Sequence, residues 1–445
     1  MSEPIISVSG LRGIVGESLT PLIAARYIAA FAGTLPPGPI VVGRDGRPSG
    51  KMLSQIVCGV LTACGRNVLH ADIAATPTIG VLVREHAAAG GVQISASHNP
   101  PPYNGLKLFN SAGRVVPAVE GNRVLAAYRA GHAAWSAAAD LGSVTALFDT
   151  TNLHNHKVFA IHRAPRTPFR VLLDSNAGAG SVLGRRLLDT SLLCEVIALG
   201  GEPTGQFEHP PEPTAENLAG VRQQVVAAGA DVGFCQDPDA DRLAIIDETG
   251  RYIGEEFTLA ICVNQVLRHT RGPVVTNCAT SRMTEDLAGQ YGVPFHRSAV
   301  GEANVADKML EVRAVFGGEG NGGPIDPRVG YVRDSFVGMT LVLAAMAERR
   351  MKVSELADEL PRYEIVKRPM KLPSERLPAA MAAVERRFSD AKADRLDGLR
   401  LDWPDRWLII RGSNTEPIVR IIAEAPTAAA AEELTAEACE SVAAV

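Results

Sequence analysis

The chain has 445 residues, a formal net charge of −5 and seven cysteines that form no regular spacing. This length predicts about three domains rather than one core, and the mildly acidic balance argues against a nucleic-acid partner. The chain contains neither an apolar run long enough to cross a membrane nor a recognisable signal peptide, so we expect a cytoplasmic protein with reduced thiols.

The first third of the chain predicts alternating strands and helices. An apolar run over residues 5–16 predicts a strand that carries Arg12 between two glycines, where backbone can approach a ligand closely. Thr20 and Pro21 predict the start of a helix. Further elements are a strand at 40–43, a turn at 44–48, and helices from there to about 64, over 76–85 and over 119–139.

Residues 92–109 predict a strand, a stiff polar loop and a second extended segment. The loop contains Ser97, His98 and three consecutive prolines, and prolines restrict the backbone because their φ is locked. Polar loops at the carboxyl ends of strands are where open α/β sheets bind ligands. Ser97 is therefore a candidate nucleophile, with His98 beside it and Lys107 able to fold back towards it.

A weak internal repeat supports several similar domains. A strand, an Asp or Asn, a turn of small residues and a helix recur at Asp45, Asp174 and Asn277. The spacing of roughly 100 to 130 residues matches three α/β units of ordinary domain size. The last 80 or so residues differ and predict a small module in the order strand, helix, strand, strand, helix.

The acidic segment at residues 237–242 is the strongest local signal. In an extended loop Asp237, Asp239 and Asp241 would face the same way, roughly 6.5 Å apart. Carboxylates so placed repel one another unless a cation joins them, and hard oxygen ligands suit Mg²⁺. A helix-flanked calcium loop fits poorly, because Arg242 occupies the position of its required glycine.

Two further polar segments suggest ligand contacts. Residues 411–417, Arg-Gly-Ser-Asn-Thr-Glu-Pro, with Arg420 beyond them, offer the guanidinium groups and short donors that grip a phosphate. Residues 317–323 form a glycine-rich loop with one Glu and one Asn, which suits hydrogen bonding to sugar hydroxyls. An ordinary polar hairpin turn and a plain flexible loop are the structural alternatives.

Taken in order, these motifs resemble the α-D-phosphohexomutases along the whole chain. The matching segments are Ser-Gly-Leu-Arg-Gly at 9–13, Ser-Ala-Ser-His-Asn-Pro at 95–100, Tyr-Asn-Gly-Leu-Lys at 103–107, Asp-Pro-Asp-Ala-Asp-Arg at 237–242, Gly-Glu at 318–319 and Arg-Gly-Ser-Asn-Thr-Glu-Pro at 411–417. The resemblance implies an α/β fold in which three similar domains with mixed sheets and a smaller C-terminal α+β domain surround a central cleft.

That resemblance also implies the content of each domain. The phosphoserine loop would lie in residues 1–150, the metal loop in 151–254, the sugar loop in 255–364 and the phosphate loop in 365–445.

By the same resemblance, Ser97 carries a phosphoryl group and passes it to a hexose 1- or 6-phosphate. The resulting bisphosphate turns end for end and returns its other phosphate, and a glucose- or glucosamine-type 1,6-bisphosphate would act as activator. Mg²⁺ would be held by Ser97, Asp237, Asp239 and Asp241.

The remaining residues receive roles on the same basis. Lys107, with a pKa lowered by cationic neighbours, would shuttle the hydroxyl proton, and His98 and Arg12 would line the reacting end. Arg242 would position the metal loop or the phosphoserine. The spectator phosphate would contact Arg411, Ser413, Asn414, Thr415 and Arg420, and the ring hydroxyls would contact Glu319 and Asn321.

The motifs point to more than one hexose phosphate as the substrate. The serine loop and the step from Arg411 to Arg420 look like phosphoglucosamine mutases, whereas Pro238 and Asn414 look like phosphomannomutases. The sugar loop departs from the commoner Gly-Glu-x-Ser-Gly-His pattern, with Asn321 and Gly323 in place of Ser and His. We expect glucosamine phosphate, with a phosphomannomutase/phosphoglucomutase as the alternative and a monomer or homodimer as the assembly.

Two other classes of protein remain as rivals. A Mg²⁺-dependent serine-nucleophile sugar phosphatase would not need a second phosphate site at 411–420. A sugar-phosphate sensor would not need Ser97, Lys107 and all three aspartates intact.

Overall fold

The structure is a computed structural model that describes residues 4–7, 9–161, 163–164, 166–412 and 418–445. Within these residues the strands form four sheets, of seven, four, four and five strands in chain order. This is the predicted fold class, three α/β domains followed by a different C-terminal domain.

The first sheet has the order β1-β2-β6-β5-β3-β4-β7 and mixes parallel and antiparallel pairs. Its strands are β1 (Ile5–Ser7), β2 (Gly10–Ile14), β3 (Ile40–Arg44), β4 (Val68–Ile73), β5 (Gly90–Ile94), β6 (Tyr103–Asn110) and β7 (Val144–Ala146). Its helices are α1 (Pro21–Thr34), α2 (Pro48–Ala63), α3 (Thr76–Glu85) and α4 (Ala118–Arg129). The loop that contains Ser97 joins the carboxyl end of β5 to β6.

Two features of this domain test the sequence predictions directly. The side chain of Thr20 accepts a hydrogen bond from the amide of Ile23, which confirms the predicted helix start. The helix predicted over 119–139 is wrong in length, because α4 ends at Arg129. Gly131 follows with φ +68°, a left-handed conformation that ends helices and favours glycine.

The second and third sheets share one design, in which a central strand has two parallel neighbours and one edge is an antiparallel pair. The second domain contains α5 (Thr151–Ala160), β8 (Arg170–Asp174), α6 (Gly180–Arg185), β9 (Glu195–Leu199), α7 (Ala219–Ala227), β10 (Val232–Gln236) and β11 (Leu243–Asp247), with a π-helical turn at Arg186–Ser191. The third contains α8 (Glu255–His269), β12 (Val274–Asn277), α9 (Met283–Gln290), β13 (Phe295–Ser298), α10 (Glu302–Val312), β14 (Phe316–Glu319), β15 (Gly323–Ile325), α11 (Ser335–Arg349) and α12 (Val353–Asp358).

The predicted repeat is present in these three sheets. Asp45 follows β3, Asp174 ends β8 and Asn277 ends β12, so each polar residue stands at the carboxyl end of a parallel strand. The largest buried cluster contains Ala75 of the first domain and residues from Val158 to Leu360, and it joins the second domain to the third. These two domains therefore share one core.

The C-terminal sheet is antiparallel throughout, in the order β16-β20-β19-β18-β17. Its elements are β16 (Glu364–Lys371), α13 (Leu377–Arg387), β17 (Lys392–Asp394), β18 (Leu399–Asp402), β19 (Trp407–Gly412), β20 (Ile418–Ala425) and α14 (Ala428–Ala443). The prediction missed β17 and β18, because they have only three and four residues. One sheet face packs on α13 and α14, and the other packs on the third domain around Cys278 and Trp407.

No helix among the described residues is both long and apolar enough to cross a membrane.

A buried hydrogen-bonded histidine connects three elements from the first three domains. The Nδ1 atom of His154 lies 2.9 Å from Oγ1 of Thr78 on α3, and its Nε2 atom lies 2.7 Å from Oδ2 of Asp334. The other carboxylate oxygen of Asp334 accepts the amides of Phe336 and Val337, which caps α11. His154 is fully buried, so removing it would leave two polar groups without water or a partner.

His154→Ala should therefore destabilise the protein by roughly 2–4 kcal/mol. Chemical denaturation with fluorescence detection measures the change. The matched control is His156→Ala, because His156 lies on the same helix but is exposed. Equal stabilities of the two variants would contradict the role given to His154.

Candidate active site

Ser97 lies where the first domain contacts the second. Its side chain is buried, and its Oγ atom donates a hydrogen bond to Oδ2 of Asp237 over 2.6 Å. The Nδ1 atom of His98 lies 3.2 Å from the same oxygen. Ser97 has φ +51°, a left-handed conformation that non-glycine residues seldom adopt. The loop thus holds the hydroxyl in one uncommon orientation, pointing at the acidic segment.

The acidic segment 237–242 is a turn and not the extended loop that the sequence suggested. The amide of Ala240 donates to the carbonyl of Asp237, and Ala240 has φ +57°. The turn brings one carboxylate oxygen of each of Asp237, Asp239 and Asp241 within 4.8 Å of the others. All three side chains are fully buried. The grouping was predicted correctly, but a turn produces it.

Two cationic side chains contact this acidic group. Lys107 on β6 contacts Asp239 at 3.2 Å and Asp241 at 2.8 Å, and Arg333 contacts Asp241 at 2.6 Å. Three carboxylates against two cations leave an excess of negative charge in a site that water does not reach. Such an excess is costly unless a proton or a metal ion offsets it.

The pKa values of the three carboxyl groups diverge for this reason. Burial, together with Asp239 and Asp241, raises the pKa of Asp237 well above its usual range. Burial also opposes ionisation of Asp239, but Lys107 and the hydrogen bonds from Asp237 and Thr76 together outweigh burial and keep the pKa of Asp239 low. Burial raises and Arg333 lowers the pKa of Asp241, and the net effect is a lowered pKa. Asp237 is thus the carboxyl group of the three whose ionisation its surroundings disfavour most.

The residues fit a divalent cation. Oδ1 of Asp239 and Oδ1 of Asp241 are buried and have no hydrogen-bond partner among the described residues. Unpaired buried carboxylate oxygens are rare, and an ion supplies the missing partner. An all-oxygen donor set of carboxylates and a serine oxygen is suited to Mg²⁺.

The expected lowering of the pKa of Lys107 is wrong. Burial does disfavour its charge, but Asp239 and Asp241 outweigh burial and raise the pKa of Lys107 above its ordinary value. The sequence could not show this, because it gave no sign that Lys107 would lie between two aspartates of another domain.

The other residues predicted at the reacting end lie around Ser97. Arg12 donates to Oδ1 of Asn99 in the serine loop over 3.2 Å. Burial, assisted by Arg242 and Arg12, lowers the pKa of His98 to about 2, so its imidazole is neutral. Arg242 lies between Glu212 at 3.6 Å and Glu255 at 3.9 Å, and its Nε atom has no hydrogen-bond partner in the described chain.

A cavity of about 570 Å³ extends from this end towards the C-terminal domain. The predicted substrate residues that the structure describes all line this cavity, namely Glu319, Asn321, Arg411 and Arg420. His98 and Arg242 line it as well. Ser413, Asn414 and Thr415 lie outside the described residues. The structure thus brings four separate sequence motifs to one cavity.

The sugar loop presents one paired and one unpaired polar group. Both oxygens of the Glu319 carboxylate are engaged, by Asn277 at 2.7 Å and Gly301 at 3.0 Å on one side and by Arg333 at 3.0 Å on the other. The Oδ1 atom of Asn321 is buried and lacks a partner within the described residues. Asn321 therefore has an acceptor available for a ligand, whereas Glu319 is held in a defined position.

Arg411 and Arg420 stand directly opposite each other on β19 and β20. Like charges in that arrangement repel and are destabilising, so the pair favours a bound anion. Lys367 on β16 lines the same cavity. It pairs with Ile422, two residues beyond Arg420 on β20, and so lies on the same face of the sheet. Arg411 is also paired with Asp397 at 3.0 Å, which the sequence did not indicate.

Several residues of the cleft were missed by the sequence analysis. They are Thr76, whose hydroxyl and amide contact Asp239, the ion-pairing residues Glu302 and Arg333, and the cavity residues Glu255, Glu256 and Lys367. None stands in a local motif. Arg333-Asp334-Ser335 before an apolar run signals a helix start, which α11 confirms, but nothing in it announces a partner for the metal loop.

The fold and cleft described above define the α-D-phosphohexomutase class. Four models of the phosphoglucomutase/phosphomannomutase family match consecutive parts of the chain. The alpha/beta/alpha domains I, II and III match residues 5–134, 150–250 and 255–363, and the C-terminal domain matches residues 365–441.

Similar proteins agree with these matches. The chain is 34% identical to a probable phosphoglucosamine mutase of Methanopyrus kandleri, with 96% of this chain and 95% of the relative covered. It is 36% identical to a phosphoglucomutase/phosphomannomutase of Thermococcus kodakarensis, with 95% of each covered. A solved family protein from Burkholderia thailandensis superposes with a TM-score of 0.87 at 24% identity, over 99% of this chain and 97% of that one. The chain belongs to the phosphoglucomutase/phosphomannomutase family.

The unpaired oxygens of the acidic turn lead to a prediction about metal binding. Mg²⁺ at 100 times its Kd should stabilise the native state by about 2.7 kcal/mol, measured as a rise in the thermal midpoint. Asp239→Asn should abolish that rise. Asp247→Asn is the control, because Asp247 is buried in the same domain but holds a turn at the far end of β11. A similar Mg²⁺ response in both variants would contradict the assignment.

Proposed function

We propose that this protein interconverts hexose 6-phosphates and hexose 1-phosphates, with Ser97 as the phosphoryl carrier. One observation supports this above all. The buried serine and the acidic turn adjoin His98 and Arg242, which line a cavity that also carries the opposed arginines Arg411 and Arg420. A substrate with a reacting end and a phosphate at its other end fits that arrangement.

The proposed reaction moves one phosphoryl group between two oxygens. A sugar hydroxyl attacks the phosphorus on Ser97, the bond between phosphorus and Oγ breaks, the proton of the hydroxyl ends on the released Oγ, and a sugar bisphosphate forms. After the sugar reorients, its other phosphate returns to Ser97. The bisphosphate is thus both the intermediate and the expected activator, because it can rephosphorylate Ser97.

Charge stabilisation dominates phosphoryl transfer. Mg²⁺ held by Ser97 and the three aspartates would neutralise charge on the transferring group. Lys107, protonated between Asp239 and Asp241, adds a fixed positive charge beside it. As a proton acceptor Lys107 would first have to lose a proton that both aspartates stabilise, so we assign it to charge stabilisation.

The remaining side chains position the two ends of the sugar phosphate. We propose that Arg12 and His98 donate to the transferring group and that Arg242 completes the electropositive wall beside them. Arg411 and Arg420 would hold the spectator phosphate, with Ser413, Asn414 and Thr415 beside them in sequence. Glu319 and Asn321 would contact ring hydroxyls. A phosphatase would gain nothing from the opposed arginines, which disfavours that rival.

For the sugar, we propose glucosamine phosphate. The names of similar proteins are divided between glucosamine and the glucose/mannose pair, so the cavity itself must discriminate. Glu255 and Glu256 line it, and burial raises the pKa of Glu256 to about 7. An oxygen of Glu255 is buried without a hydrogen-bond partner in the described chain. A protonated amino group would offset these carboxylates, whereas a hydroxyl would not.

Ser97→Ala should abolish interconversion, because Ser97 is the proposed phosphoryl carrier. The fold should stay intact. Intact-mass measurement after incubation with a glucose- or glucosamine-type 1,6-bisphosphate should show a single phosphoryl group on the wild-type chain and none on the variant. Release of inorganic phosphate without interconversion would indicate a phosphatase. Wild-type turnover by the variant would refute the role of Ser97.

Glu255→Gln should lower kcat/KM for glucosamine 6-phosphate by about tenfold or more, the worth of a hydrogen bond to a charged group. The rate with glucose 6-phosphate should change far less. Glu212→Gln is the control, since Glu212 flanks Arg242 in the same cavity but is 48% exposed. Equal losses on both sugars would rule out the proposed amine contact.

A further inference from the structure

Arg47 is a buried arginine whose hydrogen bonds all end in or near the serine loop. The sequence placed it only in a turn, and it does not line the cavity. Its side chain is 1% exposed, and each of its five N–H donors has a partner. Nη2 donates to the carbonyls of Ser97 and Asn99 at 2.7 and 2.6 Å, and Nη1 to those of Pro100 and Tyr103 at 2.9 and 3.0 Å.

The fifth donor connects Arg47 to the serine loop by a second route. Nε donates to Oδ2 of Asp45 over 3.2 Å, and Ser95 donates its hydroxyl proton to the same oxygen over 2.7 Å. The hydroxyl of Ser95 in turn accepts the amide of Ser97 over 2.8 Å. The carbonyl and the amide of Ser97 are thus both held by groups that depend on Arg47.

These contacts hold the one residue of the loop, Ser97, whose backbone conformation is unfavourable. Ser97 has φ +51°, a conformation that costs free energy in a residue with a side chain and persists only when its surroundings enforce it. That conformation directs Oγ to Asp237. A rotation of the Ser97 backbone would move the hydroxyl away from the acidic turn without unfolding the domain.

The guanidinium group also contacts the domain that carries the acidic turn. Its carbon lies 4.9 Å from the centre of the Phe207 ring. A Cβ on the adjacent Gly46 would come within 2.6 Å of the carbonyl of Ala177 and 2.8 Å of that of Pro203, so the two backbones are in close contact there. Arg47 therefore lies between the serine loop and the second domain.

We propose that Arg47 is a positioning residue for phosphoryl transfer, which sets the orientation of Ser97 relative to the acidic turn and does not contact the substrate. This inference rests on the proposed role of Ser97 as phosphoryl carrier. It predicts a selective effect on the chemical step. Substrate binding depends on the opposite end of the cavity, which Arg47 does not contact.

The test is Arg47→Lys, which keeps the charge but cannot reach four carbonyls and a carboxylate together. We expect kcat, and the single-turnover rate of transfer from phosphorylated Ser97 to hexose 6-phosphate, to fall by about 100-fold, the cost of a small misplacement of reacting groups. KM should change by less than about twofold, because interactions common to ground and transition states are unaffected.

The matched control is Arg66→Lys. Arg66 lies in the same domain and also donates to three backbone carbonyls, those of Ala32, Leu35 and Pro36 at 2.7–2.9 Å, but far from Ser97 in the fold. A merely structural role for Arg47 would lower the thermal midpoint of both variants and spare kcat in both. An unchanged kcat in Arg47→Lys, or an equal loss in Arg66→Lys, would overturn the proposal.

Should Arg47→Lys fail to fold, Ser95→Ala decides the matter in the same assay. It breaks the route from Arg47 through Asp45 to the amide of Ser97 and leaves the bonds of Arg47 to the four carbonyls in place. A loss of kcat of about two- to tenfold at constant KM, the worth of one hydrogen bond, would support the proposal, and an unchanged kcat would overturn it. A wild-type protein without mutase activity would instead refute the proposed function.

Discussion

Three carboxylates packed together without water dominate the architecture of this protein. Asp237, Asp239 and Asp241 come from one turn of the second domain, and the cations that contact them come from its neighbours, Lys107 from the first domain and Arg333 from the third. An uncompensated buried charge is far more costly than an exposed one, so these ion pairs require the three domains to meet at this point. The unpaired oxygens that remain fit a divalent cation, which would complete the charge balance.

The same constraint explains the division of the cavity. Lys107 and Arg333 are held in ion pairs at the acidic turn and leave negative charge in excess there, whereas Arg420 on the C-terminal sheet is exposed and stands opposite another arginine. The acidic turn therefore has negative charge that a cation would offset, and the C-terminal end of the cavity keeps a surplus of positive charge. A molecule with phosphate at either end can be held in two orientations by this arrangement, which is what interconversion of two positional isomers requires.

Much of the fold and of the site could be predicted from local sequence. The repeated pattern of a strand followed by a polar residue, at Asp45, Asp174 and Asn277, predicted three similar α/β units. That prediction was possible because a polar residue after a buried strand is a local signal. The helix start at Thr20 was predicted because a capping side chain bonds to an amide only a few residues away. Errors arose where the signal was weak. The alanine-rich composition of α4 continues past its end at Arg129, and β17 and β18 have only three and four residues.

The sequence by itself determined which residues we propose to carry the chemistry, since Ser97, the three aspartates and the polar segments each form a compact local pattern. Only the tertiary structure decided how they act on one another. Lys107 is 132 positions from Asp239, and Arg333 is 92 positions from Asp241, so no local pattern could reveal their pairing. The pKa of a buried group depends on which charges surround it in space, and for that reason the raised pKa of Lys107 emerges only when the domains are packed.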